Sequence, residues 1–436
     1  MNSLVAIGIV GCIVLLLLLL SSVPVGFALA LVGAVGFAVA AHNPDAAYHL
    51  LVSVTYENFS KYDLSVIPLF IFMGQIAFHA GISRRLFDAA YKWLGHLPGG
   101  IALATMGACA GFGAVCGSGP ASAATMTAVA MPEMRRHKFA LDLGAGIVAA
   151  GSSLGILIPP SVVVIVYAVM TENSPARLFA ACVMPAVVIV GMFFIYIFFH
   201  CKMHPELCPP VPSFTWKERF MSLLNVVEAL ILFIVVMGGM LVFGWFTPTE
   251  AAAIGAGGCL VVALCRRSLS WKTLWRAAME TIRTSCMVLI IVTGALVFGR
   301  FLAITGITSD LAANLTGMPL PAWCKMLFVL IFFMIAGCFV DALALVMLTM
   351  PIFLPVIKAL GYNPVWFGVM VVMLVQLGVI TPPVGVNVYV VSGIERSVPM
   401  ERIFRCAMPY TLMIIIGAIL LMVFPQLALW LPSVLY

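Results

Sequence analysis

Twice in this chain a long apolar run is interrupted at its middle by the same cluster. Gly155-Ile-Leu-Ile-Pro159-Pro160 recurs 223 residues later as Gly378-Val-Ile-Thr-Pro382-Pro383. Proline removes a backbone donor and clashes with the preceding helical turn. Broken backbone at membrane depth is tolerated only where protein or a water-filled cavity covers it. A bundle of straight spans is therefore excluded. At the same shift Pro132 falls on Pro355, Ser174 on Ser397 and Ser118 on Asp341. Near the ends the shift is 224, pairing Pro24 with Pro248, Gly33 with Gly257 and Met184-Pro185 with Met408-Pro409. So many matches in order at one spacing mean duplication. The first repeat covers 1–205, a linker 206–225, and the second repeat 226–436.

A second irregularity lies upstream of each break. The run from Gly111 to Thr125 reads Gly-Phe-Gly-Ala-Val-Cys-Gly-Ser-Gly-Pro-Ala-Ser-Ala-Ala-Thr inside apolar sequence. Its apolar flanks, about 12 residues each, are too short to span alone at 1.5 Å per residue. Two readings fit: a re-entrant helical hairpin, or one Gly-kinked span with a small-residue packing face. The second copy favours the hairpin, which is expected over 100–131 and again over 325–357 with its tip near Gly337–Asp341.

Composition sets the class. Hydrophobic residues make up 64% and charged residues 9%, against about 25% charged in soluble domains. This is an all-α polytopic membrane protein. The first twenty residues have no basic leader region and no small-residue cleavage site, so they are expected to remain as a span. The 12 Cys sit mostly within spans at irregular spacing, as small packing residues and not as a disulfide framework.

In the first repeat, scaffold spans are expected over 3–41 and 65–80, with an interfacial connector at 42–64. An amphipathic arm at 82–97 precedes the hairpin, followed by a broken span at 140–170 and a span at 180–202. The second repeat has spans at 226–265 and 284–299, a connector at 306–323, the second hairpin, a broken span at 364–393 and a last span at 410–431.

Cytoplasmic loops collect Lys and Arg. Placing 82–97, 133–139, 201–220, 266–283 and 395–405 on one side gathers 17 of the 22 basic residues there. Only Lys61, Arg177, Arg300, Lys325 and Lys358 are left for the other. The basic side is read as cytoplasmic, with both termini periplasmic. Each half has five crossings plus a hairpin, and an odd number turns the second half upside down. Inverted-topology repeats with broken helices at mid-depth mark secondary transporters.

Hairpin tips and Pro-Pro breaks leave helix ends with unpaired backbone groups. N-terminal N–H groups suit a carboxylate or sulfonate, and exposed carbonyls suit a small hard cation. No Arg lies clearly at mid-depth, so the anion is expected at helix ends and hydroxyls. Its candidate contacts are Ser118, Gly119, Ser153, Thr381 and Asn387.

Four motifs carry a resemblance: Gly-Ser-Gly-Pro-Ala-Ser-Ala-Ala-Thr (117–125), Gly-x-x-Ile-Pro-Pro-Ser (155–161), Phe-Thr-Pro-Thr-Glu-Ala (246–251) and Gly-x-x-Thr-Pro-Pro-Val-Gly (378–385). Together, and in order, they resemble the large, DctM-like membrane subunit of tripartite ATP-independent periplasmic (TRAP) transporters. The resemblance covers essentially the whole chain. It implies a sodium-coupled elevator importer in the bacterial inner membrane, not an enzyme. Its implied partners are a small four-span membrane subunit and a periplasmic binding protein that delivers an organic anion. C4-dicarboxylates, sugar acids and sulfonates all fit; Na+ is the coupling ion, no cofactor is implied, and no nucleic acid is a partner. The resemblance further implies one sodium site at Cys116, Gly117, Ser118 and Gly119 with Gly155, Ile158 and Pro160. A second would use Gly337 and Asp341 with Gly378, Thr381 and Pro383. The chain departs from the family at the first tip, where Pro120 stands in place of the usual Asn.

Plainer readings stand beside these. Ser118, Ser152 and Ser153 either supply oxygens or bond back to their own helix. Asp341, the single acid in a tip, is a sodium ligand or its support, or it holds the tip shut. Thr247-Pro-Thr-Glu250 is a helix-opening capping box. Pro205, Pro209 and Pro210 disrupt any zinc spacing of His200, Cys201, His204 and Cys208. Ser118 lacks a basic partner for nucleophilic chemistry, and no Walker A motif occurs. The competing transport reading is a single-component sodium–dicarboxylate carrier of the same architecture, although the Ser-Asn-Thr triplets usual in its tips are absent. An intramembrane hydrolase or a channel is the reading from another class.

Overall fold

A computed structural model describes residues 3–21, 23–209 and 214–436; the stretch 210–213 of the linker, Pro210 included, lies outside the described residues, as do 1–2 and 22. Among the described residues the regular structure is entirely helical. Seven helices are long and apolar enough to cross a membrane, or eight when the bent pair Trp216–Leu224 and Val227–Leu241 counts as one span. Large apolar side chains face outward in stripes. Leu31, Val35 and Val39 lie one turn apart on Val25–Ala41 and are half exposed or more, a face suited to lipid or to another membrane helix.

The two repeats map onto each other element by element. Val25–Ala41 answers to Pro248–Cys265, and Ile82–Leu94 to Ile307–Gly317. Each hairpin is two antiparallel helices, Gly100–Cys116 with Gly119–Arg136 and Ala322–Gly337 with Ala342–Ala359. Each broken span is two half-helices, Leu141–Leu157 with Val162–Thr171 and Pro364–Gly378 with Val386–Ile394. A long span closes each repeat, Pro175–Met203 and Met400–Val423. A further short helix, Gln426–Leu435, follows a break at Phe424-Pro425.

The halves differ in one respect. Residues 266–283 look like a basic loop in sequence, yet Trp271–Thr305 is one 35-residue helix capped by the Ser270 hydroxyl. No proline interrupts it. In the first half the same length is divided into Pro44–Ser60, a 3₁₀ turn at Tyr62–Ser65 and Val66–His79.

Small residues bring the scaffold helices together. A Cβ on Gly33 would lie 2.7 Å from the Phe298 amide nitrogen, and one on Gly26 would lie 3.0 Å from that of Ile291. Val25–Ala41 therefore runs parallel to Trp271–Thr305 with backbones nearly touching, the small-residue packing expected in lipid. The symmetry-related contact sets Gly255 of Pro248–Cys265 against Met73.

The two broken spans form the heart of the molecule. Every residue from Leu143 to Leu157 and from Val365 to Gly378 is buried, as expected for helices apolar all round. They meet at equivalent positions: Gln376 Nε2 donates to Ser153 Oγ at 3.2 Å, and these residues are 223 apart. The repeat axis therefore passes between them. At the basic-side end, Arg135 donates to Glu395 Oε1 at 2.7 Å and to Ser397 at 3.2 Å, tying the first hairpin to the second broken span. Burial alone would raise the Glu395 pKa; bonds from Ser397 and Arg135 outweigh it and hold the carboxyl below its ordinary value.

Candidate transport site

The first hairpin turns on Gly117, which caps Gly100–Cys116 in the left-handed region at φ +63° and donates its N–H to Gly113 O at 2.8 Å. That conformation favours glycine. Ser118 is extended, and Gly119-Pro120 opens the returning helix with Pro in its first turn, where a missing N–H costs nothing. The break of the first broken span packs directly against this tip. A Cβ on Gly113 would lie 2.9 Å from Gly155 Cα, one on Gly117 2.7 Å from Pro160 O, and one on Gly155 3.4 Å from Ser118 O. The Pro160 carbonyl thus faces Gly117 of the tip, and the Ser118 carbonyl, which also accepts from Ser122 N at 3.1 Å, faces Gly155 of the break. Across the break, the Ser161 hydroxyl donates to Ile156 O at 2.6 Å, and Ile158 donates its N–H to Leu154 O.

The second hairpin and break repeat the arrangement. Gly337 O lies in backbone contact distance of the space a Gly378 side chain would need. Cys338 O accepts from Val384 N at 3.3 Å. Asp341 is the N-cap of Ala342–Ala359, and its Oδ2 accepts from Leu343 N at 3.1 Å. Ser118 holds the equivalent N-cap position in the first hairpin but makes no side-chain cap bond. One carboxylate oxygen of Asp341 thus does the structural work of a cap.

Both tips face a cavity of about 940 Å³. Cys116, Gly117, Ser118, Gly119 and Asp341 line it, as do Ile156 and Val163 of the first break and Val379 of the second. The opposite wall is scaffold: Pro24 to Phe27, Ile71, Gly74 and Gln75, and a stripe of Trp271–Thr305 that includes Arg283, Thr284, Met287 and Ile291. Val25–Ala41 contributes its first turn, Val66–His79 its second half and Trp271–Thr305 its middle turns, just beyond the level at which His79 and Glu280 pair at 3.2 Å. The cavity is mostly apolar, with the N-termini of two hairpin helices aimed into it. Such ends stabilise negative charge.

The other residues singled out in the sequence lie behind the tips. Gly155, Ile158, Pro160, Gly337, Gly378 and Pro383 are outside the cavity wall, four of them forming the tip–break contacts just described. Thr381 donates its hydroxyl to Leu377 O at 2.7 Å. Ser153 turns away from the first tip, donating to Ala150 O and accepting from Gln376; Ser152 faces Cys109. Asn387 is fully buried behind the first tip, where its Nδ2 donates to Ala149 O. Its Oδ1 has no partner among the described residues and lies 3.2 Å from where a Gly119 Cβ would be. No group of three or more His, Cys, Asp or Glu able to hold a metal is found among the described residues. Carbonyl and hydroxyl oxygens suit a hard cation rather than a transition metal.

Sequence reasoning missed Gln75 and Arg283. Gln75 is the lone amide in an apolar span, a signal that was available. Arg283 was masked by the string of basic residues that reads as loop.

A family model described as "Tripartite ATP-independent periplasmic transporter, DctM component" matches residues 12–427. The C4-dicarboxylate TRAP transporter large permease protein DctM of Pseudomonas aeruginosa is 34% identical over 392 residues, covering 90% of this chain and 91% of that one. The isethionate TRAP transporter permease protein DctMQ of Oleidesulfovibrio alaskensis is 32% identical, covering 90% of this chain and 61% of that one. Among solved structures, the YdaH transporter of Alcanivorax borkumensis shares the fold with a TM-score of 0.64 at 15% identity, over 87% of this chain and 89% of that one.

Proposed function

Because the chain belongs to the DctM family of tripartite ATP-independent periplasmic transporter components, we propose that it is the large membrane subunit of a sodium-coupled importer of a small organic anion. It sits in the bacterial inner membrane with its basic side cytoplasmic and both termini periplasmic. It works with a small membrane subunit and a periplasmic binding protein. Carboxylates and sulfonates are the substrate class; the names of the two relatives, one for C4-dicarboxylate and one for isethionate, support that breadth.

The observation that carries this reading is the cavity, which sets both hairpin tips against three scaffold helices; with the basic side read as cytoplasmic, it lies toward that side. In that geometry the anion sits between the amide ends at Ser118–Gly119 and Asp341–Ala342. Sodium binds behind each tip, at the carbonyls of Ser118 and Pro160 and at those around Gly337 and Gly378, with Asp341 beside the second site. Each ion draws a tip onto its break, so a loaded site is closed and can cross. The hairpins and broken spans move as one body against the scaffold, and this state is the inward-facing one. The buried contact between Ser153 and Gln376, internal to that body, supports rigid movement.

Reconstitution tests the proposal. Proteoliposomes holding this chain and its small subunit, given loaded binding protein outside, should take up labelled substrate only with an inward sodium gradient. Uptake that persists when choline replaces sodium would refute sodium coupling. Robust uptake by the isolated chain would move the reading to a single-component carrier.

A further inference from the structure

The cavity wall holds one cation and one anion, Arg283 and Asp341. They stand on opposite walls, Arg283 on the scaffold and Asp341 on a hairpin tip. Arg283 makes no hydrogen bond or ion pair to another side chain among the described residues. Glu280, one turn before it on the same helix, pairs with His79 instead. Arg283 is exposed and lines the cavity. An unpaired guanidinium beside an apolar, partly enclosed space focuses its field there, and its fork of donors matches a carboxylate or sulfonate.

The repeat makes this feature one-sided. Shifting Arg283 back by 223 or 224 residues lands on Ser60 or Phe59. The nearest cation on that side, Lys61, already pairs with Glu57 at 3.0 Å. Arg283 is thus the one Lys or Arg that lines the cavity, and the repeat gives it no counterpart.

We propose that Arg283 is a second anion subsite, fixed on the scaffold, that receives the substrate's carboxylate or sulfonate as it leaves the tips on the cytoplasmic side. The assignment rests on the transport reading above. Release then proceeds by transfer: as sodium leaves and the tips loosen, Arg283 offers the departing charge a partner while the apolar wall does not. Because the scaffold stays still while the tips move, the subsite meets the anion in the inward-facing state alone.

A native cysteine reports on it. Cys286 lines the same cavity, three residues from Arg283 on the same helix. The full chain is placed in phosphatidylcholine vesicles and treated with anionic ethylsulfonate or cationic trimethylammonium-ethyl methanethiosulfonate, and the modified cysteines are identified by peptide mass spectrometry. Arg283→Gln should lower the anionic-to-cationic rate ratio at Cys286 by about tenfold, the size expected for removing one unit charge from a partly wet cavity. Arg283→Lys should keep most of the ratio, and Cys265, exposed outside the cavity, should not change in either variant. Millimolar succinate or isethionate should protect Cys286 in the parent chain and not in Arg283→Gln. An unchanged ratio at Cys286, or no protection by either probe, overturns the subsite. So does a charge effect seen only when phosphatidylglycerol is added, which would assign Arg283 to a lipid headgroup. Failed sodium-driven uptake would instead count against the proposed function, and this labelling does not depend on uptake.

Discussion

Asp341→Asn separates the structural role of the second tip from its role in coupling. Asp341 caps Ala342–Ala359 by accepting from Leu343 N at 3.1 Å. Asparagine is as good an N-cap as aspartate, whereas alanine forfeits about 0.5–2 kcal/mol. The Asn variant should therefore fold normally and differ by one negative charge. A sodium ion about 4 Å from that charge, at an effective dielectric of about 20, would be held by roughly 4 kcal/mol before solvent is considered. Water in the 940 Å³ cavity screens much of this, and the neutral amide oxygen recovers part. About 1.4 kcal/mol, a tenfold loss of apparent sodium affinity, is the minimum expected. Ser118 makes no cap bond, so Ser118→Ala removes one hydroxyl and should cost about 0.5–1.5 kcal/mol. The assay is substrate uptake against sodium concentration at fixed pH, with expression and thermal stability matched. Should Asp341→Asn leave the sodium curve in place while Ser118→Ala moves it strongly, the division of labour between the tips is wrong. Should neither move it, the cation sites lie elsewhere or the coupling ion is not sodium.

Three further outcomes are expected. Gly113→Ala pushes a methyl to within 2.9 Å of Gly155 Cα, backbone that cannot swing aside, and should destabilise the protein by about 1–3 kcal/mol; an unchanged melting temperature in detergent would show that tip and break are not packed as described. A cross-link between Phe27→Cys and Ala121→Cys, residues on facing walls of the cavity, should stop uptake and leave the fold intact, and full activity when linked would rule out movement of hairpin against scaffold. Glu395, whose carboxyl is held below its ordinary pKa through Ser397 and Arg135, contributes stability that is present above the ordinary glutamate range and lost as pH falls through its depressed value. The stability gap between the parent chain and Glu395→Gln should therefore be full at neutral pH and close only below about pH 4; a gap that does not vary with pH would mean that the Arg135–Glu395 contact is not ionic.

Much of the architecture was legible without coordinates, because in lipid the backbone must satisfy its own hydrogen bonds. A Pro-Pro pair or a Gly-Ser-Gly-Pro run inside apolar sequence then has few possible meanings. The matches at 223 and 224 residues, with an odd number of crossings per half, imply inversion, and the tip residues Ser118 and Asp341 follow from the same alignment. Sequence alone could not say which oxygen faces which neighbour. Ser153 and Ser118 are both small hydroxyl residues near a break, yet one bonds Gln376 on the repeat axis and the other faces the cavity, because helical rotation and not composition sets the direction of a side chain. Nor could it show that Arg283 is a wall of the site. A basic string reads as loop until the absence of a helix breaker between Trp271 and Thr305 is weighed, and its meeting with tips far away in sequence exists only once both repeats are packed. Local chemistry determined where the backbone breaks; the packing of two inverted halves decided which broken ends share a cavity and which charge looks into it.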